Sequence, residues 1–365
     1  MAKPSETMWE IELHTLAKHE ILRRYLGAWF PILATYNGRI LYIDGFCGPG
    51  RYKGGEDGSP VIALKEAMKH NTRLSNREIT LLFIDGDKRR IDHLKLELAS
   101  LSIPANFSVS PIHDQFDNTL KGIFDDLAKQ GAYLAPTFAF VDPFGFKGIP
   151  FDLVERLLKN PKTEVFINMM VDSINRFIEH PDPDIQQQII DLFGTPKVID
   201  VIKSGGDRVT ELRLLYQNQL LKHARFVRYF EMRDKHNRII YYLFFATNHP
   251  LGHLRMKEAF WRVDSSSGFS FCDYTNPGQL VLFNLDPSDN LANELFSRLK
   301  GNKLSVAKVR QYVEDETPYI ASQMRKALKH LELVGQICVS PCKADGKSRI
   351  RNTFPDIAIV EFIPS

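Results

Sequence analysis

Apolar positions change their period several times along the chain. Between Glu6 and Leu33 they recur at helical spacing (Leu13, Leu16, Ile21, Leu22, Tyr25, Leu26, Trp29) and predict one or two helices. Five short β-rich runs follow: Arg39 to Asp44, Ile79 to Asp85, Phe107 to Ile112, Thr137 to Asp142 and Thr163 to Met170. Each is mostly apolar, as strands covered on both faces are. Helical patterns separate them, at Ser59 to His70, Lys88 to Leu101, Gln115 to Lys129 and Phe151 to Leu158. This alternation predicts a doubly wound α/β fold around a parallel sheet.

The regularity then lapses. Residues 171–222 carry helical pattern interrupted by Pro181, Pro183 and Pro196, and predict a helical insertion over the site. Phe226 to Asp234 and Ile239 to Thr247 flank a short polar turn and predict a hairpin closing the sheet. The turn-rich run Asn284 to Asn290 is the expected junction between a first domain, residues 1–285, and a second, residues 286–365. In the second, Leu291 to Leu299, Ser305 to Val313 and Pro318 to Leu333 predict three helices, with Ser305 and Thr317 as N-caps and Gly301 and Gly335 as stops. Gln336 to Ser340 and Asp356 to Ile363 predict two strands around a basic loop. Three helices and a two-stranded wing make a winged helix-turn-helix. Its third helix would present Tyr319, Gln323, Arg325, Lys326 and Lys329 to phosphates and base edges, and its wing Lys343, Lys347, Arg349 and Arg351. A protein-docking role for such a domain is the alternative.

Composition narrows the class. The chain has 365 residues, room for about two domains at roughly 150 residues each. Hydrophobic residues at 44% and charged residues at 25% exclude a disordered or low-complexity protein. The longest apolar runs fall far short of the ~20 residues of a bilayer span, and the N-terminus lacks signal-peptide character, so a cytoplasmic location with no membrane partner is expected. Four scattered cysteines read as thiols, and no histidine pattern predicts a metal site. The net charge of +3 arises wholly after residue 287, where 12 basic residues face 9 acidic ones. That tail is where a nucleic acid would be held.

Candidate chemistry lies at the strand tips. Asp44-Gly45-Phe46-Cys47-Gly48-Pro49-Gly50 directly follows the first strand, where a doubly wound sheet binds ligands and small residues let them approach the backbone. The spacing is neither G-x-G-x-x-G nor a phosphate loop, which disfavours NAD and ATP. It resembles the first motif of class I S-adenosylmethionine-dependent methyltransferases. That resemblance implies that Gly45, Gly48 and Gly50 shape a cofactor loop and that Asp44 meets the methionine amino group. It further implies that Asp85 holds the ribose and that Asp114 accepts from the adenine amine with Phe116 against the ring. Acids at strand ends also serve as helix caps. Asp142-Pro143-Phe144-Gly145 resembles the D-P-P-Y motif of amino-group methylases, and more closely the D-P-F-G form of tRNA guanine N2-dimethyltransferases. The Asp142 carboxylate and Pro143 carbonyl can accept protons from an exocyclic amine while Phe144 stacks on the base. His14 and Lys18 share a helix face from which they could reach a cofactor carboxylate or a substrate phosphate.

The runs Tyr42 to Leu64, Phe166 to Phe177 and Tyr241 to Met256, with the Asp142 motif, resemble the three-Cys-motif partner protein family, TcmP, which also ends in a winged helix. The resemblance implies a radical-SAM-like partner whose three cysteines hold an iron-sulfur cluster. It leaves two functions open: a methyltransferase acting on DNA or RNA, or a non-catalytic adaptor that binds nucleic acid and recruits the partner.

Overall fold

The structure, a computed structural model, describes residues 6–203, 205–265, 267–273, 287–340 and 349–364. It divides into two compact units, Met1–Ala259 with Ser270–Asn276 and Phe260–Phe269 with Pro277–Ser365. The expected junction at residue 285 lies outside the described residues.

The first unit opens with a single helix, α1 (Leu13–Tyr36), which carries Pro31 within it. Strands and helices then alternate: β1 (Arg39–Asp44), α2 (Ser59–Lys69), the one-turn α3 (Asn71–Leu74), β2 (Glu78–Asp85), α4 (Lys88–Ala99), β3 (Phe107–His113), α5 (Phe116–Gln130), β4 (Thr137–Val141), α6 (Phe151–Lys159) and β5 (Thr163–Met169). The insertion comprises α7 (Val171–Phe177), α8 (Pro183–Phe193), a 3-10 segment (Pro196–Lys203) and α9 (Arg208–Leu220). Pro183 opens α8 behind Asp182, whose carboxylate accepts from Asp184 N at 2.9 Å, so this proline starts a helix where a break was expected. The hairpin β6 (Phe226–Arg233) and β7 (Ile239–Thr247) follows, then α10 (Pro250–Val263), which from Phe260 onward is counted with the second unit, and β8 (Ser270–Cys272).

The sheet runs β3-β2-β1-β4-β5-β7-β6-β8. Strands β1 to β5 are parallel, and β7 enters antiparallel beside β5. The chain works outward from β1 to β3 and returns to β4 on the other side of β1, which places the reversal of strand order between β1 and β4. The result is a doubly wound, Rossmann-like α/β sheet. Every residue of β4 and β5 is buried, and apart from Thr137, Thr163, Glu164 and Asn168 all of them are apolar. β3 is an edge strand and buries little, so Pro111 is accommodated there. On one face Phe151, Phe193, Tyr216 and Phe244 pack together; elsewhere Tyr42 stacks on Phe138 at 6.0 Å.

The second unit holds α11 (Pro287–Leu299), β9 (Lys303–Ser305), α12 (Val306–Glu316), α13 (Ala321–Leu333), β10 (Ile337–Val339) and β11 (Ile359–Phe362). Its three strands pair antiparallel in the order β10-β11-β9 over a core that includes Leu295, Val309, Met324, Leu328 and Val360. Ser305 caps α12, accepting from Lys308 N at 3.3 Å. Thr317 does not start the next helix: its hydroxyl donates to Val313 O at 2.7 Å and so closes α12. The opening of α13 is instead satisfied by Gln323, whose Oε1 accepts from Ile320 N at 2.9 Å. Among the described residues no helix is long and apolar enough to cross a membrane.

Candidate functional site

Three of the four expected acids meet at the carboxyl ends of the central strands. Asp44 ends β1, Asp85 ends β2, and Asp142 directly follows β4. The loop after β1 is built around them. Gly45 N continues the ladder to Phe140 O at 2.9 Å, Cys47 N turns to Ile84 O at 2.9 Å, and Gly48 N donates to Asp85 Oδ2 at 3.1 Å. Gly50 has φ +83°, and a Cβ there would come within 2.7 Å of Leu94 Cδ1. A side chain is excluded at that position by both conformation and space.

Asp44 is fully buried, and its Oδ2 has no hydrogen-bond partner among the described residues. Burial pushes its carboxyl up to about 7; the nearby Ser59 hydroxyl opposes the rise and the Asp142 charge adds to it. An unmatched carboxylate oxygen in such a place is costly unless a donor or cation arrives. Asp142 is better supplied. Its Oδ1 accepts from Asn168 Nδ2 at 2.6 Å, and its Oδ2 is paired with the Lys18 ammonium. Asn168 Oδ1, on β5, is buried without a partner among the described residues. His19 lines the same cleft, held neutral because burial and the Lys18 charge push its pKa down to about 3.

The remaining expected residues are engaged locally. Both Asp114 oxygens serve the start of α5, accepting from Gln115 N at 2.7 Å and Thr119 Oγ1 at 3.1 Å. Asp114 thus braces the turn just before α5, whose N-cap is Gln115. Phe116 packs its ring against Gly45, where a Cβ would meet it at 2.6 Å. Lys18 and His14 do not reach outward for a ligand: Lys18 holds Asp142, and His14 bonds Asp273 at 2.9 Å beside Glu12 at 3.1 Å. Burial lowers the His14 pKa, but the two carboxylates outweigh it and leave it raised.

The cavity touching Gly48, Gly50, Asp142 and Phe144 measures about 30 Å³. Small-molecule pockets run to roughly 300–1,000 Å³. Side chains absent from the sequence expectation fill the space. Arg90, fully buried on α4, places its guanidinium 4.9 Å from the Trp9 ring centre and 5.1 Å from that of Phe144, and 3.8 Å from Asp85 Oδ2. A larger cavity of about 620 Å³ lies at the opposite end of the sheet. There Glu164 accepts from Tyr25 Oη at 2.6 Å and Thr247 Oγ1 at 2.8 Å, a buried tie between α1, β5 and β7 rather than part of the acid cluster.

In the second unit Arg325, Lys326 and Lys329 are exposed on α13, and Arg351 is exposed near β11. Gln323 is buried as the helix cap, and Tyr319 stacks on Trp261 at 5.7 Å. Arg349 is paired with Glu332 and donates to Thr353 O at 2.9 Å. These three hold the unit together. Lys343, Lys347 and Cys342 lie outside the described residues. Cys47, Cys272 and Cys338 are free thiols, and no group of three His, Cys, Asp or Glu among the described residues is placed to hold a metal.

No family model matches the chain, and no curated protein matches it by sequence. Solved structures do. Human methyltransferase-like protein 13, in complex with SAH, is 11% identical over 75% of this chain and 98% of its own, with a TM-score of 0.36. A human methyltransferase 10 domain containing protein is 13% identical over 62% and 82%, with a TM-score of 0.29. The cyclopropane synthase MmaA2 from Mycobacterium tuberculosis is 11% identical over 65% and 70%, with a TM-score of 0.26. These are similarities of fold.

Proposed function

We propose that the chain is an S-adenosylmethionine-dependent methyltransferase acting on an exocyclic amine of a nucleic-acid base, in company with a radical-SAM-like three-Cys-motif protein. The observation that carries the cofactor is Asp44: a buried carboxylate oxygen without a partner, beside a glycine loop at the reversal of strand order. The donor it lacks fits the ammonium of the methionine moiety, and Asp85 and the Gly48 backbone lie where a ribose diol would be held. Bound there, the cofactor supplies an electrophilic methyl group on a sulfonium. The chain's own part is orientation. The Asp142 carboxylate and Pro143 carbonyl accept from the amine, and Lys18 and Asn168 fix that carboxylate in place. Phe144 offers its face to the base.

The second unit would hold the nucleic acid as a winged helix, through Arg325, Lys326 and Arg351. The small cavity favours a second reading, in which the chain is a non-catalytic adaptor that binds nucleic acid and recruits the partner. The two separate by nucleoside mass spectrometry of cells with and without the gene and its partner. A methylated base that disappears with Asp142→Ala supports the enzyme. Methylation persisting at the parental level in that variant removes Asp142 from the mechanism.

A further inference from the structure

One aromatic side chain covers both halves of the proposed site. Trp9 belongs to residues 6–12, before α1, and its ring meets Phe144 edge-on at 5.5 Å and Tyr52 at 5.5 Å. Its outer ring carbon lies 3.7 Å from where a Cβ of Gly48 would stand. The Phe144 face proposed for the acceptor base and the Gly48 backbone proposed for the cofactor are thus shielded by the same indole, with the Arg90 guanidinium packed against both Trp9 and Phe144. The segment is tied down lightly. Trp9 O accepts from Lys53 N at 3.0 Å, and the Glu6 and Lys53 side chains, both exposed, form an ion pair at 3.8 Å. Such exposed pairs contribute little. Glu12, at the N-cap of α1, makes no side-chain cap bond, and its carboxylate lies 3.1 Å from His14 Nε2 at the hinge end of the segment.

We infer that residues 6–12 form a latch, with Trp9 as its tooth, that keeps the cleft shut until cofactor and acceptor displace it. This rests on the cofactor reading given above and adds its regulation. The cavity of about 30 Å³ is the closed state, and a ligand of nucleoside size enters when Trp9 leaves. Apparent affinity is then the intrinsic affinity reduced by the fraction of molecules already open. Release also lifts Trp9 from the Phe144 ring, where the Arg90 guanidinium remains, so loading the cofactor opens one side of the acceptor site.

The test is titration of S-adenosylhomocysteine into the full chain by calorimetry, for the parent, Trp9→Ala and Trp9→Phe, with stopped-flow tryptophan emission alongside. The chain has three tryptophans, so an emission change in the parent that is absent from Trp9→Phe isolates Trp9. Thermal midpoints without ligand establish that each variant is folded, and the parent's emission change is read without any variant folding. We expect binding by the parent, about tenfold tighter and faster binding by Trp9→Ala, and an intermediate value for Trp9→Phe. Equal affinities and on-rates for parent and Trp9→Ala, with no emission change, overturn the latch and leave the cofactor reading intact. Weaker binding by Trp9→Ala makes Trp9 a contact for the ligand and also overturns it. Failure of all three to bind removes the cofactor reading itself, and the latch with it.

Discussion

The ammonium of Lys18, on the first helix, is paired with the carboxylate of Asp142, 124 residues later at the tip of β4. The lysine side chain is 6% exposed and its partner 18%, so the pair is largely removed from water. Breaking one side of such a pair strands a charge.

Lys18→Met is therefore expected to lose about 2–4 kcal/mol of stability. The double variant Lys18→Met, Asp142→Asn is expected to recover much of that loss. Urea unfolding of the four species gives the coupling. Equal stability of the parent and Lys18→Met means that the pair holds nothing.

Asp44 sets a pH dependence. The unfolded chain loses this proton near 3.8 and the native chain near 7. Between those values the native state binds more protons, so stability falls as pH rises from about 4 to 7 and stays lower above. Asp44→Asn should match the parent at pH 4 and exceed it at pH 8 by on the order of 1–4 kcal/mol. Denaturant midpoints at the two pH values decide it; parallel pH profiles contradict it.

Gly252 lets α10 sit against the buried Glu164. A Cβ there would lie 2.0 Å from Glu164 Oε1. Gly252→Ala, normally favourable within a helix, should here cost about 1–3 kcal/mol through overpacking. A raised thermal midpoint would show that the carboxylate moves aside freely.

The basic residues of the second unit should divide into two behaviours. Arg325→Ala should weaken nucleic-acid binding and lower the salt slope by about 1, with the unit's stability unchanged. Arg349→Ala should instead lower stability, because Glu332 loses its partner. Filter binding across a salt series, set beside thermal unfolding, separates them.

The parallel core was legible because burial on both faces writes itself as continuous apolar runs. β1 is found where the pattern placed it, at Arg39–Asp44, and β2 begins one residue earlier than expected, at Glu78. Elements of three residues, β8 and β9, are too short to carry a period, and α10, which opens with Pro250 and Gly252, was not predicted. At the site, motif spacing located Asp44, Asp85 and Asp142. It missed Trp9, Arg90 and Asn168, because no local pattern reveals which distant side chains will lean into a cleft. Gln323 and Arg349 have the residue types of nucleic-acid contacts; Gln323 is turned inward locally, by the free amide of Ile320 at the start of its own helix, and Arg349 by a tertiary partner, the half-buried Glu332.

The two margins of the large sheet carry a consequence for life in a crowded solution. An exposed strand edge invites another chain to add a strand and begin aggregation. Pro111 denies one outer strand an amide proton, and the other, β8, offers only three residues, Ser270–Cys272. A protein with 25 phenylalanines has much to lose from sticking to its own copies, and both borders of its sheet discourage that growth.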